Sequence, residues 1–332
     1  MKVSLVILNW NGKRFLKECL DSVFSQSYKD FEVILVDNGS TDGSVEFVKK
    51  NYPKVKVIEN EKNLGFAEGN NIGIRAAKGE YIVLLNNDTK ADKDFLKELV
   101  KCAEESRGRV GCIAAKMLFY SNPEKINSAG MFALKDGAGR DRGVFEGDSP
   151  KWNRKEEIFG ACAGAALYTR KALDDVAVNG EFFDSSFFAY FEDTDLAYRL
   201  RLRGWKTIYC PSAVVLHHGK GTSRKIHDFN IYYGHANRLK IIIKDFPVGL
   251  LLRFLPWILL RQFLEFFYCT FFQLSLAPIK ARLKVISELP SLLEKRRRIQ
   301  SRKIVHDSEL LPFFNPTPLS KIFKERALNM GV

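Results

Sequence analysis

Apolar and polar positions over the first hundred residues follow two alternating rhythms. Residues 3–8 are a short continuous apolar run, as in a strand buried on both faces. Leu16, Cys19, Leu20 and Val23 then return at helical spacing. Residues 31–36 read as a second buried strand and residues 55–58 as a third. A loop with Asn63 and Gly65 leads into a helix over 67–77, and residues 81–85 form a fourth strand. Phe95, Leu96, Leu99 and Val100 place another helix after it. This order predicts an α/β fold, a largely parallel sheet with helices on both faces. Ligands of such sheets bind beyond the carboxyl ends of the strands. The polar clusters at 9–12, 37–42 and 86–88 all follow strand ends, so they should gather along one edge.

Residues 119–160 are irregular and rich in Gly, Asp and Lys, which predicts loops and short strands around a second binding region. Leu196 and Leu200 mark a helix stopped by Gly204, and residues 213–216 a strand. From about residue 238 the composition shifts. Residues 246–279 are apolar and aromatic, and residues 280–303 are basic, with Lys280, Arg282, Lys284 and the run from Lys295 to Arg298. We therefore divide the chain at 240, with an α/β domain split near residue 90 and a C-terminal helical extension over 241–332.

Overall, 332 residues with 46% hydrophobic and 27% charged side chains suffice for a sizeable core. The net charge of +13 calls for an anionic partner. Six cysteines without a CxxC pair read as reduced, buried thiols. The chain opens directly on a strand, with no signal-peptide pattern, which places the expected chemistry on the cytoplasmic side.

Six constellations carry candidate chemistry. Asp37 is either a helix cap or an acceptor for the imide N–H of a pyrimidine base. Residues 63–73 hold three glycines and three asparagines, either a tight helix packing or a loop with amides left for a phosphate or ribose. The run Asn86, Asn87 and Asp88 is an Asx turn or a hard-oxygen site for Mg²⁺ or Mn²⁺ on a diphosphate. Glu192, Asp193 and Asp195 sit near a helix start among six aromatics, which suits a sugar cleft with an ionised base. Asp195 and Arg199 also fit an i,i+4 surface pair. His217 and His218 precede a Gly-rich turn, and one imidazole would complete the Asp88 site. Finally, Arg261 and Glu265 interrupt the apolar tail, which favours helices lying on an anionic membrane over a spanning one. An apolar dimer interface, hence a homo-oligomer, is the plain alternative for that tail.

The ordered series VSLVILNWNG, ILVDNGSTDGS, NLGFAEGNNIGI, LLNNDT, FFAYFEDTDLAYRLRLRGW and HHGKGTS resembles family 2 glycosyltransferases, in particular the rhamnosyltransferase-like branch, over about residues 3–240. The resemblance implies a GT-A fold, inversion at the anomeric carbon, a nucleotide-binding half over 1–90 and an acceptor-binding half over 91–240. It implies that Asn9, Asp37, Asn38, Asn63, Gly65, Asn70, Asn86 and Asn87 bind the nucleotide sugar. Asp193 falls on the general base, with Glu192 as supporting acid. Asp88 matches the last acid of the DXD metal motif, where Asn86 and Asn87 replace the other acids. His217 matches the metal-side histidine, with His218 in reserve. The implied donor is dTDP-rhamnose or a UDP-sugar, and the acceptor a saccharide or lipid-linked saccharide.

Other classes fit less well. A nucleotidyltransferase would carry a longer Gly-rich basic loop than residues 9–14, and a dehydrogenase its dinucleotide fingerprint. A membrane adaptor leaves the strand-end clusters unexplained. A nucleic-acid partner is not expected, because much of the positive excess lies in the tail beside apolar helices.

Overall fold

The computed structural model describes residues 1–219 and 227–315. Four parallel strands form its first half: β1 (Val3–Asn9), β2 (Phe31–Asp37), β3 (Lys56–Glu59) and β4 (Tyr81–Asn86), in the spatial order β3-β2-β1-β4. The helices between them are α1 (Lys13–Phe24), α2 (Ser44–Asn51) and α3 (Gly65–Ala76). Side chains of β1 alternate across the sheet. Val3, Leu5 and Ile7 pack with Leu16, Cys19, Leu20 and Val23 of α1, and Val6 packs on α3. The sequence placed each of these strands within a residue or two of its observed bounds.

The second half departs from a purely parallel plan. A short strand β5 (Thr89–Ala91) leaves β4, then come α4 (Phe95–Glu105), β6 (Val110–Phe119), β7 (Asn122–Ser128) and the hairpin β8 (Met131–Ala133) with β9 (Gly139–Asp141). β10 (Glu156–Ile158) and β11 (Ala165–Thr169) follow, then α5 (Arg170–Val176), α6 (Glu192–Leu202) and β12 (Lys206–His217). β11 lies antiparallel between β4 and β6, so the sheet is mixed at its centre. β12 runs parallel to β6 and antiparallel to β5, and it begins well before the strand expected at 213–216. The irregular stretch after residue 119 is loops and short strands, as its composition predicts.

The C-terminal part is helical: α7 (His227–Lys244), α8 (Val248–Phe267), a π-turn at Tyr268–Phe272, α9 (Ala277–Ser287) and α10 (Leu289–Ser301). The division expected at 240 falls inside α7. Phe246, Ile299 and Leu310 share a core with Tyr198 of α6. Charges join the parts as well. Lys244 and Lys295 each reach Asp184 at 2.7 Å, and Lys244 also contacts Asp195. Asp195 and Arg199, a surface pair on the sequence reading, are fully buried, with Arg199 donating also to the Val176 and Phe182 carbonyls. Arg261 and Glu265 likewise sit in a buried network with Asp136 and Arg238. Among the basic residues expected to face lipid, Lys295 and Arg296 turn inward, Arg296 donating to the Ile243 and Phe246 carbonyls. Among the described residues, no helix is long and apolar enough to cross a membrane.

Candidate active site

A cleft of about 1040 Å³ opens at the carboxyl ends of β1 and β4. Its floor is built from the strand-end loops. Asn9 at the end of β1 donates to Asp37 Oδ2 at 2.8 Å, and Asn87 donates to Asn9 Oδ1 at 2.6 Å. Gly12 makes room for that bridge, since a Cβ there would lie 2.1 Å from Asn87 Nδ2. Asp37 is 1% exposed and accepts from the Ser40 amide and hydroxyl, both at 2.7 Å. Its carboxylate fixes the β2 loop from below and lies behind the cleft lining. Asn38, Asn63, Gly65, Asn86 and Asn87 do line the cleft, whereas Asn9 and Asn70 lie behind the lining. Asn70 donates to the Phe66 carbonyl within α3.

The glycines of residues 63–73 serve packing. A Cβ at Gly69 would lie 2.4 Å from Leu8, and one at Gly73 would lie 2.3 Å from Val6. Gly65 (φ +83°) lies under Phe188, whose carbonyl accepts the Phe66 and Ala67 amides at 2.5 and 3.3 Å. The first amides of α3 are thus taken by the chain itself rather than left for a phosphate.

The next wall carries Asp88 and His217. Pairing of β5 with β12 sets His217 opposite Thr89, beside Asp88. His217 Nε2 lies 3.2 Å from Asp88 Oδ1, and Nδ1 lies 3.0 Å from Asn127 Oδ1. Burial pushes the Asp88 carboxyl up, but the bond from His217 and its charge outweigh that and hold it below the usual range. His218 is turned away, stacked on Tyr120 at 3.7 Å and 3.4 Å from Glu18. The choice between the two histidines therefore falls on His217. Residues 220–223 of that block lie outside the described residues. A carboxylate oxygen and an imidazole nitrogen about 3 Å apart match two neighbouring ligands of one small cation. No cluster of three His, Cys, Asp or Glu ligands occurs among the described residues, so such a cation would need further oxygens from a ligand.

The third wall is the start of α6. Glu192 lines the cleft, with its Oε2 buried and without a hydrogen-bond partner. Asp193, beside it, accepts from the Thr194 amide at 2.7 Å and from the Ala163 amide at 3.4 Å. The helix start was expected to keep these acids ionised. Burial pushes Asp193 up to about 6, aided by the charge of Asp141 on β9, which leaves it ionised at neutral pH. Burial and the neighbouring Asp193 push Glu192 well above the carboxylate range. Of the six aromatics in this block, only Phe188 and Tyr190 line the cleft; Phe183 and Phe187 are core.

Sequence reasoning did not single out Trp10, Lys13, Arg14, Phe229 and Asn230 on the cleft, or Asn127 and Asp141 behind it. Lys13 and Arg14 were legible as a basic pair after a strand-end glycine. The others become visible only when distant segments meet.

Comparison with known proteins agrees with this geometry. The chain is 25% identical over 225 residues to the y4gI protein of Sinorhizobium fredii, covering 65% of this chain and 24% of that one. It is 24% identical over 295 residues to the Methanococcus voltae dolichyl N-acetyl-alpha-D-glucosaminyl phosphate 3-beta-D-2,3-diacetamido-2,3-dideoxy-beta-D-glucuronosyltransferase, covering 80% and 84%. It thus spans about a quarter of the first relative and most of the second. Its fold is similar to that of the mannosyltransferase PcManGT of Pyrobaculum calidifontis, solved with GDP-Man and Mn²⁺. The TM-score is 0.53 at 18% identity, with 91% and 85% covered, and this likeness shows a common GT-A architecture. The model of the glycosyl transferase family 2 matches residues 4–177, more than half of the chain, and the protein is therefore a family 2 glycosyltransferase.

Proposed function

We propose that this glycosyltransferase moves a sugar, with inversion, from a nucleotide-diphosphate donor (dTDP-rhamnose or a UDP-sugar) to a saccharide or lipid-linked saccharide in surface polysaccharide biosynthesis. It works peripherally at the cytoplasmic face of the cell membrane. The observation that carries the reading is the cleft itself, with Asp88 and His217 on one wall and Glu192 on another; Asp193 follows Glu192 in α6 and lies behind the lining.

The nucleotide lies along the strand-end loops of Asn38, Asn63 and Asn86, with Lys13 and Arg14 beside the diphosphate. Asp193 takes the proton of the acceptor hydroxyl as that oxygen bonds to the anomeric carbon and the bond to the diphosphate breaks. Its pKa of about 6 suits a base at neutral pH. Glu192, on the cleft with Oε2 buried and unpartnered, supports Asp193 by contacting the incoming sugar. Asp88 and His217 would hold Mg²⁺ or Mn²⁺, which offsets charge on the departing diphosphate when bound.

Asp193→Asn tests the reading. Transfer should fall by at least about a hundredfold while nucleotide binding persists, since a general base contributes roughly 10²–10⁴-fold and the amide cannot accept the proton. Parallel loss of binding and transfer would make Asp193 structural.

A further inference from the structure

α8 carries two apolar stripes. Leu250, Phe254 and Ile258 face the core, continued by the buried Arg261 and Glu265. On the opposite side Val248, Leu252, Leu259, Phe263 and Phe267 point outward, each 44–65% exposed. The π-turn after α8 is barer still, with Phe272 at 72% and Leu274 at 85% exposed. Leu283 and Ile286 extend the surface along α9. An apolar face of this extent is costly in water and marks a docking surface.

Charge indicates what covers it. Residues 248–303 hold eleven Lys or Arg against three Glu. Arg253 and Lys280 are exposed among the apolar side chains, and Arg297 at the end of the basic run is exposed as well. Large apolar side chains flanked by cations match an anionic lipid surface. With Arg261 and Glu265 turned inward, the outward face of α8 is apolar apart from Arg253.

The apolar tip also touches the cleft wall. Ser275, next to Leu274, donates to Asp228 Oδ1 at 2.6 Å in the first turn of α7. The next two residues of that turn, Phe229 and Asn230, line the cleft, where Tyr190 donates to Asn230 Oδ1 at 2.9 Å.

We infer that the outward face of α8 and α9 docks on an anionic lipid bilayer, with the tip around Phe271, Phe272 and Leu274 inserted beside the mouth of the cleft. An acceptor anchored in the same leaflet then reaches the cleft without leaving the bilayer; that consequence rests on the transferase reading, whereas the docking does not.

Flotation of the full chain on vesicles, without nucleotide or metal, tests the docking separately from catalysis. The chain should float with phosphatidylcholine–phosphatidylglycerol vesicles, far less with phosphatidylcholine alone, and less as salt rises. Phe271→Ser, Phe272→Ser and Leu274→Ser together should cut the bound fraction at least about tenfold. Arg253→Glu with Lys280→Glu, both at exposed positions, should bring binding down to the neutral-vesicle level at an unchanged melting temperature. Failure of the wild type to float would overturn docking, even with nucleotide binding intact. So would wild-type flotation of both variants, or a stable dimer in solution that the tip substitutions dissociate, which would assign the face to a second copy.

Discussion

The carbonyl oxygen of Phe188 lies 2.5 Å from the amide nitrogen of Phe66, so the loop before α6 closes the start of α3. Phe188 is held at φ +60°, and Gly65 beneath it has φ +83°. A Cβ on Gly65 would lie 2.5 Å from that oxygen and 2.6 Å from the Phe188 ring. Gly65→Ala should therefore cost about 2 kcal/mol, from backbone strain plus the displaced loop. It should also weaken nucleotide binding, because Gly65 and Phe188 both line the cleft. Denaturant melts and nucleotide titrations of the variant check both effects.

Asp193 should make its own site unstable at neutral pH. Its carboxyl is raised from 3.8 to about 6 in the folded chain. Between those values the folded state binds more protons than the unfolded one, so stability falls as pH rises through that window. Asp193→Asn removes the penalty. The variant should melt a few degrees above wild type at about pH 7.5 and show little or no such gain at about pH 4. Transfer by the wild type should rise with pH through about 6, as the base loses its proton.

The C-terminal helices hold the start of α6 through buried charge. Lys244 lies between Asp184 and Asp195 and is 1% exposed. Lys244→Met leaves those carboxylates short of a cation and should destabilise the fold by about 3–5 kcal/mol. For Asp184, burial acts upward, but Lys244 and Lys295 pull its carboxyl far below the ordinary value. Its contribution is present above the unfolded pKa and is lost as pH falls below it. Acid melts should show the wild type losing stability more steeply below about pH 4 than the variant does.

The nucleotide half was legible because its strands are buried on both faces. Continuous apolar runs such as residues 81–85 leave little choice of structure, and the polar clusters behind them fall together once the sheet is parallel. The residues alone offered either imidazole for the Asp88 site and the family resemblance chose His217; 128 residues lie between the two, and β5–β12 pairing joins them. Local rules failed where tertiary burial reversed them. Asp195 and Arg199 fit a solvated helix pair until α7 covers them. The acids of α6 sit at a favourable helix end, yet desolvation raises Asp193 and Glu192. The glycines at 69 and 73 resemble a phosphate loop but are spaced to seat α3 on Leu8 and Val6.

The Asp88–His217 pair gives a direct prediction for metal. Mn²⁺ should strengthen nucleoside diphosphate binding to the wild type, and Asp88→Ala should abolish that gain while leaving metal-free binding within about threefold. His217→Ala should act in the same direction. His218→Ala should not, because that ring is stacked on Tyr120.

The most direct measurement of the central claim is the thermal shift with UDP, dTDP, GDP, ADP and NAD, each with and without Mn²⁺, since a ligand that binds only the folded state raises its melting temperature. The account predicts stabilisation by UDP or dTDP, larger with Mn²⁺ and reduced in Asp88→Ala. Stabilisation by NAD alone, or by no nucleotide in a well-folded chain, would contradict it.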